Sequence, residues 1–231
     1  MDGIIIVNKP SGITSFRVVQ IIRKLTGVRR VGHTGTLDPS ATGLLIVCLG
    51  KACKMVSSLM AHDKDYEAEI TFGITTDSGD RDGKILTQNH AHVSKEQLEK
   101  VLDEFKGDIE QIPPMVSAIH HKGERLYDIA RRGITVERPA RKVHINDIRL
   151  LSFEDGDPPK ANIYVSCSKG TYIRTLCEDI GKKLGCGAFE SSLKRVKMEK
   201  VDISQSRTLE ELTDLFKQGR FHEALLNDIQ N

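Results

Sequence analysis

The sequence predicts an α+β fold, with a mixed, mainly antiparallel central sheet flanked by helices and loops. Three observations point there. Short apolar runs stop abruptly at turn residues, as buried strands do. One stretch alternates apolar and polar with period two. Capped amphipathic stretches lie between these runs without the regular strand–helix alternation of a doubly wound sheet. With 231 residues, 39% of them hydrophobic, the chain is long enough to bury a substantial core.

In chain order, "GIIIVNKP" reads as a short buried strand stopped at Lys9-Pro10. "TSFRVVQIIRKLTG" carries apolar residues at helical spacing, with Thr14 or Ser15 to cap its start and Gly27 its end. "GHTGTLDPSATG" (32–43) reads as a loop, and "LLIVCLG" after it as a second buried strand. In "YEAEITFG", Tyr66, Ala68, Ile70 and Phe72 share one face, which predicts a half-buried strand. "TTDSGDRDGK" is an acidic, turn-rich loop. "SKEQLEKVLDEFKG" predicts a helix opened by a Ser-x-x-Gln capping box and closed at Gly107. "RLYDIARRG" predicts a shorter helix. "RKVHINDIRLLSF" and "ANIYVSCS" read as strands around an exposed loop, "EDGDPPK" (154–160). "TYIRTLCEDIGKKLG" predicts a helix, and "SRTLEELTDLFKQG" a last one capped by Thr-x-x-Glu.

Net charge is only +2, but its distribution is uneven. Residues 17–54 hold seven Lys or Arg and one acid, Asp38, whereas 63–111 hold six basic and thirteen acidic residues. Residues 120–149 and 169–200 each carry eight basic and four acidic residues. Basic segments of this kind attract a phosphate backbone; dispersed, solvated charge is the alternative reading. No apolar run is long enough to span a membrane, and the N-terminus lacks the charged and apolar regions of a signal peptide. Five cysteines without a close Cys-x-x-Cys pair suit free thiols in a reducing cytoplasm.

Several motifs fail on their chemistry. An EF-hand placed on "SGDRDGKILTQN" would have Ser78 and Asn89 where the loop needs charged anchors. "GLLIVCLGKA" has the wrong glycine spacing for a P-loop, and no Ser or Thr follows its lysine. His33, Cys48 and Cys53 match no common zinc spacing, and the neighbours His120 and His121 would face opposite sides of a strand. No dinucleotide fingerprint or serine elbow is present, so no metal and no cofactor is expected.

The loop at 32–43 is more informative. Gly32, Gly35 and Gly43 permit positive φ and close backbone approach. The proline after Asp38 pushes it out of the helical region, onto a defined turn. An Asp-Pro can simply cap such a turn. Set among basic segments, an ionised and oriented carboxylate can also serve as a nucleophile.

"GHTGTLDPSATGLLIVCLGKACK" resembles the signature of the pseudouridine synthases, in particular the bacterial B-type family that modifies uridine-55 in the T arm of tRNA. "VNKPSGITS", "KDYEAEITFGITTDSGDRDG", "PPMVSAIHHKGERLYDIARRG", "CSKGTYIRTLCEDIG" and "SLKRVK" resemble its other motifs in order, over about residues 3 to 215. The resemblance implies the pseudouridine synthase fold over 1–231, with a small inserted subregion at about 75–112 and the family's C-terminal RNA-binding region absent or truncated. It implies Asp38 as the catalytic aspartate, Tyr66 stacking on the target uracil and Arg174 pairing with Asp38. Leu193 would pack against the base, and His33, Thr34 and Gly35 would form part of the RNA-contacting loop. Lys9 and Pro10 would floor the site. By themselves Tyr66 and Leu193 read as core residues and Arg174 as a helix-surface cation. The implied partner is tRNA, bound by a cytoplasmic monomer that needs no protein partner and no membrane. Two alternatives stand beside it: a guide-RNA-dependent synthase subunit, and a non-catalytic RNA-binding or RNA-folding module. Two positions depart from the family's pattern, Cys53 in Ala-Cys-Lys and Val116 after Pro-Pro-Met.

Overall fold

Apolar residues at alternate positions and capped amphipathic helices set the architecture of the computed structural model, which describes residues 1–117, 119–121 and 123–226. The chain begins β1 (Gly3–Lys9), α1 (Ser15–Thr26), β2 (Val31–His33), β3 (Thr42–Leu49), α2 (Val56–Met60) and β4 (Lys64–Phe72). It continues through β5 (Ile74–Thr76), β6 (Ile85–Gln88), α3 (Lys95–Asp103), β7 (Gly107–Gln111), β8 (His120–His121), β9 (Glu124–Arg125) and α4 (Leu126–Arg131). The last elements are β10 (Arg141–Glu154), β11 (Lys160–Cys167), α5 (Ile173–Lys183), β12 (Ala188–Met198), β13 (Val201–Asp202) and α6 (Leu209–Lys217). Two units result: Met1–Glu67 with Leu193–Asn231, and Ala68–Ser192.

In the first unit β1 pairs antiparallel along the whole of β3, from Gly3 opposite Leu49 to Lys9 opposite Gly43. The other edge of β3 is shared. β2 takes its C-terminal end antiparallel, and β12 takes its start in parallel, with Lys194 opposite Thr42 and Arg195 opposite Gly43. That parallel pair makes the sheet mixed, while the other named ladders are antiparallel. Strand alternation gives each face its own core. Ile5, Val7, Leu45 and Val47 pack with Val18, Val19 and Ile22 of α1 and Leu212 of α6. Ile4, Ile6, Leu44 and Ile46 pack with Leu59 and Met198 on the opposite face. α1 is capped as its sequence predicts. The Thr14 hydroxyl accepts the Arg17 amide N–H, and Gly27, at φ 70°, ends the helix by donating its N–H to the Arg23 carbonyl.

In the second unit β10 pairs antiparallel with β11 on one edge and β7 on the other. α3 carries the expected reciprocal Ser94–Gln97 capping box. The expected helix ends early there: its C-cap is Glu104, and Gly107, at φ 87°, opens β7 instead. The acidic loop is the turn of a β5–β6 hairpin. Sequence reading missed β6 because all four of its residues are exposed, so no apolar face marks it. The helix expected at 125–133 shrinks to six residues, since Arg125 belongs to the small β8–β9 hairpin and Gly133 takes φ 72°. "EDGDPPK" joins β10 to β11, but it is not wholly exposed: Pro159 is buried and its carbonyl accepts the Phe72 N–H at 3.0 Å. All five cysteines are free thiols, three of them buried.

The loop expected at 32–43 is shorter than the sequence suggested, because Gly32 and His33 belong to β2. Gly32 faces Cys48 in the ladder and, unlike Gly35 and Gly43, does not take positive φ. Hydrogen bonding to β3 holds it extended.

Candidate active site

Asp38 lies on the turn between β2 and β3, half-buried, with its carbonyl accepting the Ala41 N–H at 3.2 Å. The next carbonyl, that of Pro39, accepts two bonds: one from the Gly12 N–H at 2.8 Å and one from Lys9 Nζ at 3.2 Å. Lys9 ends β1 and has no exposed surface. Its ammonium also donates to the carbonyls of Pro10 at 2.9 Å and Ile13 at 2.7 Å, so each of its three protons has an acceptor. Burial pushes the Lys9 pKa down to about 8; the Asp38 carboxylate pulls it back up and the Arg195 guanidinium pushes it further down. The sequence thus brings Lys9 and Asp38 within electrostatic reach, one from the end of β1 and the other from the turn before β3.

Arg195 is the residue sequence reasoning missed. It follows Leu193 by two on β12, so both side chains take the same face. Leu193 is 8% exposed and Arg195 1%. Arg195 Nε donates to the Leu44 carbonyl at 2.7 Å and Nη2 to the Gly35 carbonyl at 3.3 Å, bonding both ends of the segment that carries Asp38. Gly43 sits at φ 98°, and a Cβ there would stand 2.3 Å from the Arg195 carbonyl oxygen. Only glycine permits so close a parallel approach of β12 to β3. Gly35 also takes positive φ, 95°, but a Cβ there would make only ordinary contact with the Arg195 and Lys64 side chains, at 3.5 and 3.6 Å. Lys64, also nearly buried, donates to the carbonyls of Met60 and His62.

The other expected site residues of this unit lie in defined positions. His33 is held below its usual pKa, first by burial and then by Arg195, with a hydrogen bond to the Gly35 backbone opposing the shift. Thr34 has no exposed surface; its N–H bonds the Ile46 carbonyl and its hydroxyl lies 3.9 Å from the Met198 sulfur, which leaves that hydroxyl to the core. Tyr66 on β4 is 8% exposed. Lys9 and Pro10 border a cleft of about 540 Å³, together with Asn8, Thr42, Lys194 and Leu209.

Arg174 belongs to the second unit, in the first turn of α5, and is 4% exposed rather than on the helix surface. Its Nη1 lies 3.1 Å from Asp80 Oδ2, and Nη2 donates to the Val116 carbonyl at 2.9 Å. Asp80 is itself fixed. Its Oδ1 accepts the Ser78 hydroxyl at 2.6 Å and the Asp82 N–H at 3.1 Å. No sequence signal links Asp80 to Arg174 across 94 positions. One turn along α5, burial pushes the Glu178 pKa up to about 7, with Asp179 adding to the rise and Arg174 opposing it. Among the described residues no group of three His, Cys, Asp or Glu is placed to hold a metal ion, and no helix is long and apolar enough to cross a membrane.

Residues 23–173 fit the TruB family pseudouridylate synthase N-terminal domain. The chain belongs to this family. Residues 174–229 fit the C-terminal domain of tRNA pseudouridylate synthase B. Among similar TruB proteins, tRNA pseudouridine synthase B of Clostridium tetani is 48% identical over 93% of this chain and 73% of its own length. The protein of the same name from Pelotomaculum thermopropionicum is 47% identical over 95% of this chain and 70% of its own. Among solved structures, a chain in a crystal structure of a Cbf5-Nop10-Gar1 complex is 30% identical, with a TM-score of 0.77. That match covers 97% of this chain, which spans about 60% of the other. TruB enzymes are isomerases that convert uridine to pseudouridine, so the α+β fold with its mixed central sheet is the pseudouridine synthase fold.

Proposed function

We propose that this chain isomerises uridine-55 in the T arm of tRNA, with Asp38 as nucleophile on a base flipped out of its stack. The observation that carries the reading is the placement of Asp38: one carboxylate on a tightly bonded turn, facing the field of a buried ammonium. In the reaction the N1–C1′ bond breaks, the uracil turns, and C5 bonds to C1′. The C5 proton leaves and N1 gains one, so no redox partner or transferred group is required. The carboxylate attacks C1′, adds to C6, or removes the C2′ proton; all three routes need it ionised and fixed.

Extruding the uridine costs roughly a few kcal/mol. Tyr66 and Leu193 are assigned to offset that by stacking and apolar contact, and Arg174 to the catalytic set. His33 and the Gly35 segment are assigned to the splayed loop nucleotides, the part of a structured RNA that a protein reads most readily. The 48% identity to a tRNA pseudouridine synthase B supports an enzyme that acts on tRNA, which we read as working alone. The likeness to a chain of the Cbf5-Nop10-Gar1 complex is the observation that favours the alternative, a subunit of a larger assembly, at lower identity.

The test is to incubate unmodified tRNA transcripts with the purified chain alone and map pseudouridine by carbodiimide-dependent primer extension. A single stop at position 55 is expected. Modification elsewhere, or none until a guide RNA is added, would overturn the assignment.

A further inference from the structure

The backbone is held from outside the loop one residue before and one residue after Asp38. After it, the Pro39 carbonyl takes the Lys9 and Gly12 bonds described above. Before it, Leu37 is bound by one hydroxyl. Its N–H donates to Ser15 Oγ at 2.9 Å, and Ser15 Oγ lies 3.2 Å from its carbonyl oxygen, to which it donates. Ser15 is 1% exposed and Leu37 3%, so no water competes for these bonds. Ser15 is the first residue of α1, but the cap is Thr14, which bonds the Arg17 amide without it. Alanine is a better helix former than serine, so nothing in α1 calls for a hydroxyl at position 15.

We infer that Ser15 is a positioning residue, whose hydroxyl fixes the Leu37 peptide and thereby the direction in which the Asp38 side chain leaves the backbone. The inference rests on the reading of Asp38 as nucleophile. A carboxylate one residue from a loosened anchor keeps its charge but loses its aim. Displacements of about 1 Å at a reacting group cost on the order of a hundredfold in rate.

The test compares wild type with Ser15→Ala and Ser15→Thr by single- and multiple-turnover release of tritium from C5-labelled T-arm stem-loop, with thermal melting alongside. Ser15→Ala is expected to lower kcat roughly tenfold or more while KM stays within about threefold. Ser15→Thr, which restores a hydroxyl, is expected to recover at least a third of the wild-type kcat. The inference is overturned if Ser15→Ala keeps kcat within twofold, if the loss lies in KM, or if Ser15→Thr is as poor as Ser15→Ala. Should Ser15→Ala fail to fold, Ser15→Cys replaces it under the same criteria. Asp38→Ala is run in parallel. Activity in that variant means the nucleophile assignment has failed; an inactive Asp38→Ala beside a fully active Ser15→Ala means only the Ser15 inference has failed.

Discussion

Arg174 and Asp80 form a buried ion pair, 3.1 Å between Nη1 and Oδ2, with side chains 4% and 8% exposed. The guanidinium spans two acceptors at once, this carboxylate and the Val116 carbonyl. A lysine is a point charge on a flexible stem and cannot reproduce that fork. Arg174→Lys should therefore lose roughly tenfold or more in kcat/KM in the tritium assay. Arg174→Ala strands Asp80 in the interior and should lower stability by about 3 kcal/mol or more in urea unfolding.

Lys9 gives a pH signature. Its folded pKa of about 8 lies below the ordinary 10.5, chiefly through burial. If its positive charge faces the working carboxylate, kcat should decline as pH rises through about 8, and Lys9→Met should be slower at neutral pH without that limb. The stability effect has the opposite sense. The folded chain gives up the Lys9 proton before the unfolded chain does, so its contribution becomes more favourable between about pH 8 and 10.5. Urea midpoints of wild type and Lys9→Met across that window should change in relation to each other accordingly.

Glu178 should show the reverse. Its folded pKa of about 7 stands above the ordinary 4.5, so the unfolded chain releases the proton first. Stability from this group is full below about pH 4.5 and is lost as pH rises toward 7. Glu178→Gln should raise the melting temperature at pH 8 and leave it little changed at pH 4.5.

Gly43→Ala should be severely destabilising. It adds a Cβ at φ 98° and sets it 2.3 Å from the Arg195 carbonyl oxygen. A loss of roughly 2 kcal/mol or more is expected in urea unfolding, with turnover falling as β12 is pushed from β3.

Much of this was legible in the sequence because the information is local. The Thr14 and Gly27 caps, the Ser94 capping box and the alternation from Tyr66 to Phe72 each depend on residues within a turn or two. The turn that carries Asp38 was legible through its proline and through Gly35 and Gly43. The Arg195 bonds to Gly35 and Leu44, and the Arg174–Asp80 pair, bridge from 94 to 160 positions, and no local pattern encodes them. β6 escaped for another reason: an exposed strand made by backbone pairing alone has no apolar signature. Gly32 shows the converse limit, since a glycine reads as conformational freedom even where a ladder uses none of it.

The central claim is that Asp38 is the reacting carboxylate of a pseudouridine synthase, and release of tritium from C5-labelled T-arm stem-loop tests it most directly. Wild type and Asp38→Asn would be compared with chelator present, and RNA binding measured on both. The account predicts stoichiometric release by wild type, none by Asp38→Asn, and binding by the two within a few-fold. Release by Asp38→Asn at a rate near wild type would contradict it.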